Sequence, residues 1–274
     1  MSTTCISPQR VRACLSLASL LLACLAGCQS AGEPGPPRTF RVMTYNIHHG
    51  EGLDGKVDLQ RIADLIKREQ ADIVALQEVD KGVQRTTRRD CPAELAALAG
   101  LTCVFSNNFH FQGGEYGNAV LTRFPIKRCT NRHYQMIRPG EQRGLLQVVL
   151  EAHGRELVFM DTHIDYRGDD TERLLNADEL LQAIEPFRGW PVILCGDFND
   201  TPGSRTHQKI AQAFVDAWMA AGAGDGFTIP AEKPRKRIDY IWTSKEPSIE
   251  TLRAWVPESE ASDHLPVVGE FRLR

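Results

Sequence analysis

Along residues 39–274, short apolar runs alternate with helical periodicities, and most of the runs end in a polar residue. FRVMTYNI, starting at Phe40, reads as a strand. Asp58 then caps a helix with Leu59, Ile62, Ala63 and Ile66 on one face. DIVALQE reads as a strand buried on both faces, because its apolar run is continuous. A second helix is predicted from Pro92 to Ala99, with Gly100 as its stop. TCVFSNNF, GNAVLT and QRGLLQVVL read as further strands, the last turning at His153-Gly154 into RELVFMDTH. A helix follows over 171–185, with Asp169 and Glu172 placed for a capping box. WPVILCGD, RIDYIW and HLPVVGEFRL complete the set. Strands outnumber helices and several are joined as hairpins, so a mixed or antiparallel α/β layered sandwich fits better than a doubly wound parallel sheet.

The first 38 residues break this pattern. Arg10 and Arg12 precede an apolar run from Ala13 to Ala26 that is short for a membrane span. The run ends Leu25-Ala26-Gly27-Cys28, which resembles a bacterial lipoprotein signal in which the cysteine is lipidated and becomes the first mature residue. Residues 1–27 are therefore expected to be a signal peptide, and Cys28 a lipid anchor rather than part of a spanning helix. Gln29 after the cysteine, where sorting signals differ, implies the outer membrane by the same resemblance. The Gly- and Pro-rich stretch up to Arg38 reads as a tether, leaving 39–274 as one domain, expected to be a monomer.

Cleavage changes what composition means. The whole chain has 32 basic and 35 acidic residues; the leader carries off two arginines and no acid, so the mature balance is −5. That disfavours tight binding to extended nucleic acid. KPRKR at 233–237 is the one basic run, either a phosphate-attracting rim or a solvated loop. Of eight cysteines, Cys91, Cys103, Cys129 and Cys195 remain to the domain. An exported protein permits a disulfide, and Cys91 with Cys103 is the nearest pair; free thiols are the alternative.

The chemistry is in the strand ends. Asn46, Glu78, His163, Asp197 and Asn199 follow apolar runs, while Asp239 and the pair Asp263-His264 precede them. Strand exits and entries share one rim in an antiparallel arrangement, so these residues are candidates for a single cleft. Several carboxylates on one rim repel each other unless a cation offsets them, and oxygen donors suit Mg²⁺ or Mn²⁺ better than Zn²⁺. The neighbours His48 and His49 raise a zinc alternative, although on an extended chain they point to opposite sides. A histidine held by a carboxylate can move a proton, and Asn118, Asn199 and Arg143 can bind phosphate oxygens.

In order, the strings TYNIHHG, LQEVD, YGNAVLTRFPI, DTHID, GDFND, RIDYIW and SDHLPV resemble the endonuclease/exonuclease/phosphatase superfamily, which includes deoxyribonuclease I, sphingomyelinases and inositol polyphosphate phosphatases. The resemblance spans about residues 40–272 and implies a four-layer α/β sandwich of the deoxyribonuclease I type. It implies metal binding by Glu78 with Asn46 and Asp263, and a water oriented or deprotonated by Asp197. It further implies phosphate binding by Asn199, a His264–Asp239 pair at the reacting phosphate, and His163 near the leaving group. Tyr116, Asn118 and Arg143 fall where phosphate contacts are expected. The expected activity is metal-dependent hydrolysis of a phosphoester at the envelope: a phosphodiester, a phosphomonoester or a lipid headgroup. A nuclease and a non-catalytic, lipid-anchored binding module are the alternatives.

Overall fold

The structure, a computed structural model, describes residues 39–245 and 249–273. The leader, Cys28 and the tether lie outside the described residues. Among those described, no helix is long and apolar enough to cross a membrane.

The domain is two six-stranded sheets packed face to face. The first sheet runs β11 (Ile249–Trp255), β12 (Val267–Leu273), β1 (Thr39–Asn46), β2 (Ile73–Lys81), β4 (Gly114–Thr122), β3 (Thr102–Phe111). The second runs β5 (Ile126–His133), β6 (Gly144–Ala152), β7 (Arg155–His163), β8 (Val192–Asp197), β10 (Asp239–Ser244), β9 (Phe214–Asp216). Each sheet is mixed: β1 with β2 and β7 with β8 are parallel, the other pairs antiparallel. Helices α1 (Leu59–Glu69) and α2 (Cys91–Ala99) pack on the outer face of the first sheet through Leu59, Ile62, Ile66 and Leu95. Helix α3 (Thr171–Ile184) covers the second through Ala177, Leu180 and Ala183. Helix, sheet, sheet, helix is the expected four-layer sandwich. Two short helices, α4 (Arg205–Ile210) and α5 (Ala217–Ala221), fill connections after β8.

Side chains alternate along a strand, so each strand has one row facing the other sheet. That inner row is Phe40 and Val42 in β1, Ile73 and Ala75 in β2, and Val120 in β4. Across from them stand Leu157 and Phe159 in β7, Ile193 and Cys195 in β8, and Ile241 in β10. Continuing each row by two-residue steps toward one end of the sandwich gives Thr44 and Asn46, Gln77, Asn118 and Tyr116, Asp161 and His163, Asp197, and Asp239. All are buried. The sandwich is therefore apolar at one end of its interior and polar at the other.

Several expectations need correction. The capping box at α3 does not form: Asp170 is the cap residue, Asp169 Oδ1 accepts from the Thr171 N–H, and Glu172 turns to Ile137 N–H and Arg138 instead. Strands β5, β9 and β11 escape pattern reading, because β5 is exposed along nearly its whole length and β9 has only 3 residues. The four described cysteines are all free thiols, so no Cys91–Cys103 bond forms. KPRKR is not a uniformly solvated loop: Arg237 is buried, donates to Asp216 Oδ2 at 2.8 Å and lies over Tyr240.

Candidate active site

A cleft of about 440 Å³ opens where the polar ends of the inner rows meet. Glu78, Tyr116, Arg143, His163, Asp197, Asn199 and His264 line it.

Glu78 reaches the cleft by a backbone device. Simple alternation would place it with Val74 and Leu76, beneath the helices. Instead Gln77 and Glu78 together oppose Asn118, a β-bulge between Leu76 and Val79. Glu78 takes φ +60°, Val79 inherits the helix-facing position, and the Glu78 carboxylate swings toward the end of the sandwich. A positive φ at a non-glycine residue costs about 1–2 kcal/mol.

Asn46 ties the carboxylates together. Its Nδ2 donates to Glu78 Oε1 at 3.0 Å and to Asp197 Oδ2 at 3.1 Å, and its Oδ1 accepts the His48 N–H. Asp197 is placed by Gly196, which passes so close to β7 that a Cβ there would lie 1.9 Å from the Thr162 carbonyl oxygen. Asn199, at φ +47°, turns back so that its N–H donates to Asp197 Oδ1 at 2.9 Å.

His264 sits between two buried carboxylates. Its Nδ1 is 3.0 Å from Asp239 Oδ2, and its Nε2 is 3.8 Å from Asp197 Oδ2. Burial alone would depress its pKa, but the charge and hydrogen bond of Asp239 and the charge of Asp197 outweigh that and raise it to about 10. Burial and the charge of Asp239 push Asp197 up to about 7, against the pull of His264. Asp197, Asp239 and His264 bring ligand atoms within 4.8 Å of one another, and Asp239 Oδ1 is buried with no hydrogen-bond partner. A buried anionic oxygen without a partner, clustered with the Asp197 carboxylate, is a donor that fits a hard divalent cation.

His163 behaves oppositely. Its Nδ1 lies 3.1 Å from Arg143 Nη1 and its Nε2 lies 3.0 Å from Asn199 Nδ2. Arg143 can only donate, so Nδ1 accepts and the ring carries its single proton on Nε2, where Asp197 Oδ2 lies 3.5 Å away. Burial, then the charges of Arg143 and His264, hold its pKa well below the usual histidine value. Two histidines in one cleft are thus poised as an imidazolium and a neutral ring.

Arg143 is buried, held by Glu141 at 3.0 Å, and faces Tyr116. Asn118 lies one layer behind the cleft, accepting from Asn108 Nδ2 at 2.7 Å. That layer also holds Gln77, whose Nε2 donates to Thr44 Oγ1 at 3.1 Å and to Asp161 Oδ1 at 2.6 Å. Burial raises Asp161 well above the usual carboxylate range. Asp263 stands apart; its side chain is 48% exposed, 3.9 Å from His48 Nδ1. His48 and His49 are not on an extended chain. Both have positive φ in a single 3-10 turn with rings 4.5 Å apart; His48 lines the cleft while His49 is buried beside Glu51. Sequence reading missed Arg85, Phe109, Phe111, Glu141 and Tyr166 in the cleft wall. They lie on turns and at a strand end, where no periodicity marks them.

Both shifts tie the stability of the ion-free protein to pH. A raised histidine pKa contributes stability that is present below its ordinary 6.5 and is lost as pH rises through about 10. Asp197 acts in the same direction, from its ordinary 3.8 up to about 7. In EDTA, melting temperature should therefore fall between pH 7 and 10, more steeply in wild type than in His264→Gln. A flat or rising wild-type profile would contradict this electrostatic assignment.

The Endonuclease/Exonuclease/phosphatase family matches residues 43–264, from β1 to His264. The chain belongs to this family. Family members hydrolyse phosphoesters, typically with a divalent metal. Escherichia coli K12 YbhP, itself uncharacterized, is 29% identical over 251 residues, 86% of this chain and 97% of that protein. Nocturnin from Xenopus laevis is 25% identical over 296 residues, 89% of this chain and 75% of its own. The crystal structure of an endonuclease/exonuclease/phosphatase from Beutenbergia cavernae superposes with a TM-score of 0.72 at 27% identity, covering 86% of this chain and 72% of that one.

Proposed function

We propose that the protein is a divalent-metal-dependent phosphoesterase that hydrolyses phosphodiester or phosphomonoester bonds at the cell envelope. The observation that carries this reading is the Asp239–His264–Asp197 array at the floor of a cleft whose wall presents Arg143, Asn199 and Tyr116. Glu78 with Asn46, beside the buried carboxylates of Asp197 and Asp239, would hold Mg²⁺ or Mn²⁺, which when bound polarises a phosphoryl oxygen and offsets developing charge. Asp197, raised to about 7, is matched to take a proton from an attacking water near neutral pH. Asn199 and Asn46 keep its carboxylate oriented. His264, cationic up to about pH 10, donates to the phosphoryl oxygens and stabilises the charge they gain. Arg143 and Tyr116 donate to the same group, and neutral His163 is the group assigned to meet the departing oxygen.

The basic run adds no support to the nuclease alternative, because Arg237 is committed to Asp216 and the run lies outside the cleft lining. A panel of substrates with Mg²⁺ tests the reading: bis-p-nitrophenyl phosphate, plasmid DNA, RNA, sphingomyelin, and inositol and sugar phosphates. Hydrolysis of small esters in preference to nucleic acid is expected; turnover of nucleic acid alone would replace it with the nuclease.

The envelope location rests on Cys28 and its preceding Leu25-Ala26-Gly27. Cys28→Ala should move the protein from the membrane fraction to the soluble one. A mutant still found in the membrane fraction would remove the lipid anchor.

A further inference from the structure

The cleft has a second wall that the proposed chemistry does not use. Asp80, two residues beyond Glu78 on β2, is fully buried. Both of its oxygens accept from Arg85, from Nε and from Nη2, each at 2.8 Å. Such a forked pair fixes the guanidinium plane and offsets its charge. The plane lies over two rings, 4.9 Å from the Phe111 centroid and 5.5 Å from that of Tyr116. Phe109 packs against both, with centroids 6.1 Å from Phe111 and 5.0 Å from Tyr116. A register shift in β3 between Asn107 and Phe109 sets these rings at the cleft edge, where both phenylalanines stay partly exposed. Tyr116 joins this wall to the reacting groups, since its other neighbour is Arg143.

We propose that Arg85, Phe109, Phe111 and Tyr116 form a stacking subsite for a planar aromatic group esterified to the substrate's phosphate. The inference rests on the phosphoesterase reading of the neighbouring groups. Three features select this ligand class. The guanidinium is already neutralised by Asp80, and Glu78 is near it, so a second phosphate would meet no uncompensated cation. A sugar ring needs many donors and acceptors around its hydroxyls, whereas this wall offers ring surfaces and one guanidinium nitrogen, Nη1, not committed to Asp80. Partly exposed rings beside a stacked arginine are suited to dispersion and cation–π contact with another flat ring.

Two non-hydrolysable ligands of equal reach and charge test this: benzylphosphonate and cyclohexylmethylphosphonate, titrated calorimetrically into the full-length protein with Mg²⁺. Their phosphate esters, which share a primary alcohol leaving group, are assayed in parallel. The benzyl compound is expected to bind about tenfold more tightly, as one stacked ring contributes. In Phe111→Leu, which keeps apolar volume but removes the ring, the ratio should collapse toward one; Phe109→Leu provides a second variant if the first folds poorly. Equal affinities in wild type, no binding of either phosphonate, or a ratio untouched by both variants would overturn the subsite. Preference for the benzyl phosphonate with no turnover of either ester or of bis-p-nitrophenyl phosphate would uphold the subsite and reject the phosphoesterase reading. Turnover of both esters without preference would do the reverse.

Discussion

Glu78→Gln should lower turnover by roughly 10³-fold while leaving the fold intact. Glutamine keeps the shape and still accepts the Asn46 N–H, now at 3.0 Å from Oε1, but it removes the negative charge. The carboxylate is brought to the cleft by a bulge and a positive φ, while Val79 fills the place beneath the helices. A strained conformation retained at a carboxylate facing Asp197 is a functional arrangement. Glu78→Gly separates the two roles: it should be equally inactive, yet unfold at no lower temperature than wild type, because glycine adopts this φ without strain. Thermal melts beside the kinetic assay check both. Wild-type-like rates in Glu78→Gln would remove this residue from the chemistry. A large stability loss in Glu78→Gly would make it structural.

The second large effect is at His264. Its replacement by Ala should cost about 10²–10⁴-fold in turnover, the range of a proton-transferring group. Asp239 is buried, 3.0 Å from Nδ1, and is the main source of the raised histidine pKa. If Asp239 acts by holding and charging His264, Asp239→Asn should add little once His264 is gone. The double mutant is then no more than about threefold slower than His264→Ala. A fully multiplicative loss would show that Asp239 has work of its own, as a cation ligand through the unpartnered Oδ1.

Much of this arrangement was legible in the sequence because period-2 alternation carries it. Asn46, His163, Asp197 and Asp239 each end an inner row that is apolar at its far end, so a strand reading already puts them at one rim. What stayed hidden depends on departures from alternation or on tertiary pairing. The bulge at Glu78 has no local signature, and neither does the 3-10 turn that presents His48. Arg85 looks like one arginine among several in a polar connection; only its fork onto Asp80 marks it. The capping box at α3 failed because Arg138 and the Ile137 N–H outcompete the helix end for Glu172. β5 was missed because its outward positions are polar and its inward positions few.

The central claim is that these acidic side chains hold a hard divalent cation for phosphoester hydrolysis. Its most direct measurement is metal add-back to EDTA-stripped protein, followed on bis-p-nitrophenyl phosphate with Glu78→Gln and His264→Ala alongside. The account predicts no turnover after stripping and recovery with Mg²⁺ or Mn²⁺ in wild type alone. Recovery with Zn²⁺ but not with Mg²⁺ or Mn²⁺, or equal recovery in both mutants, would contradict it.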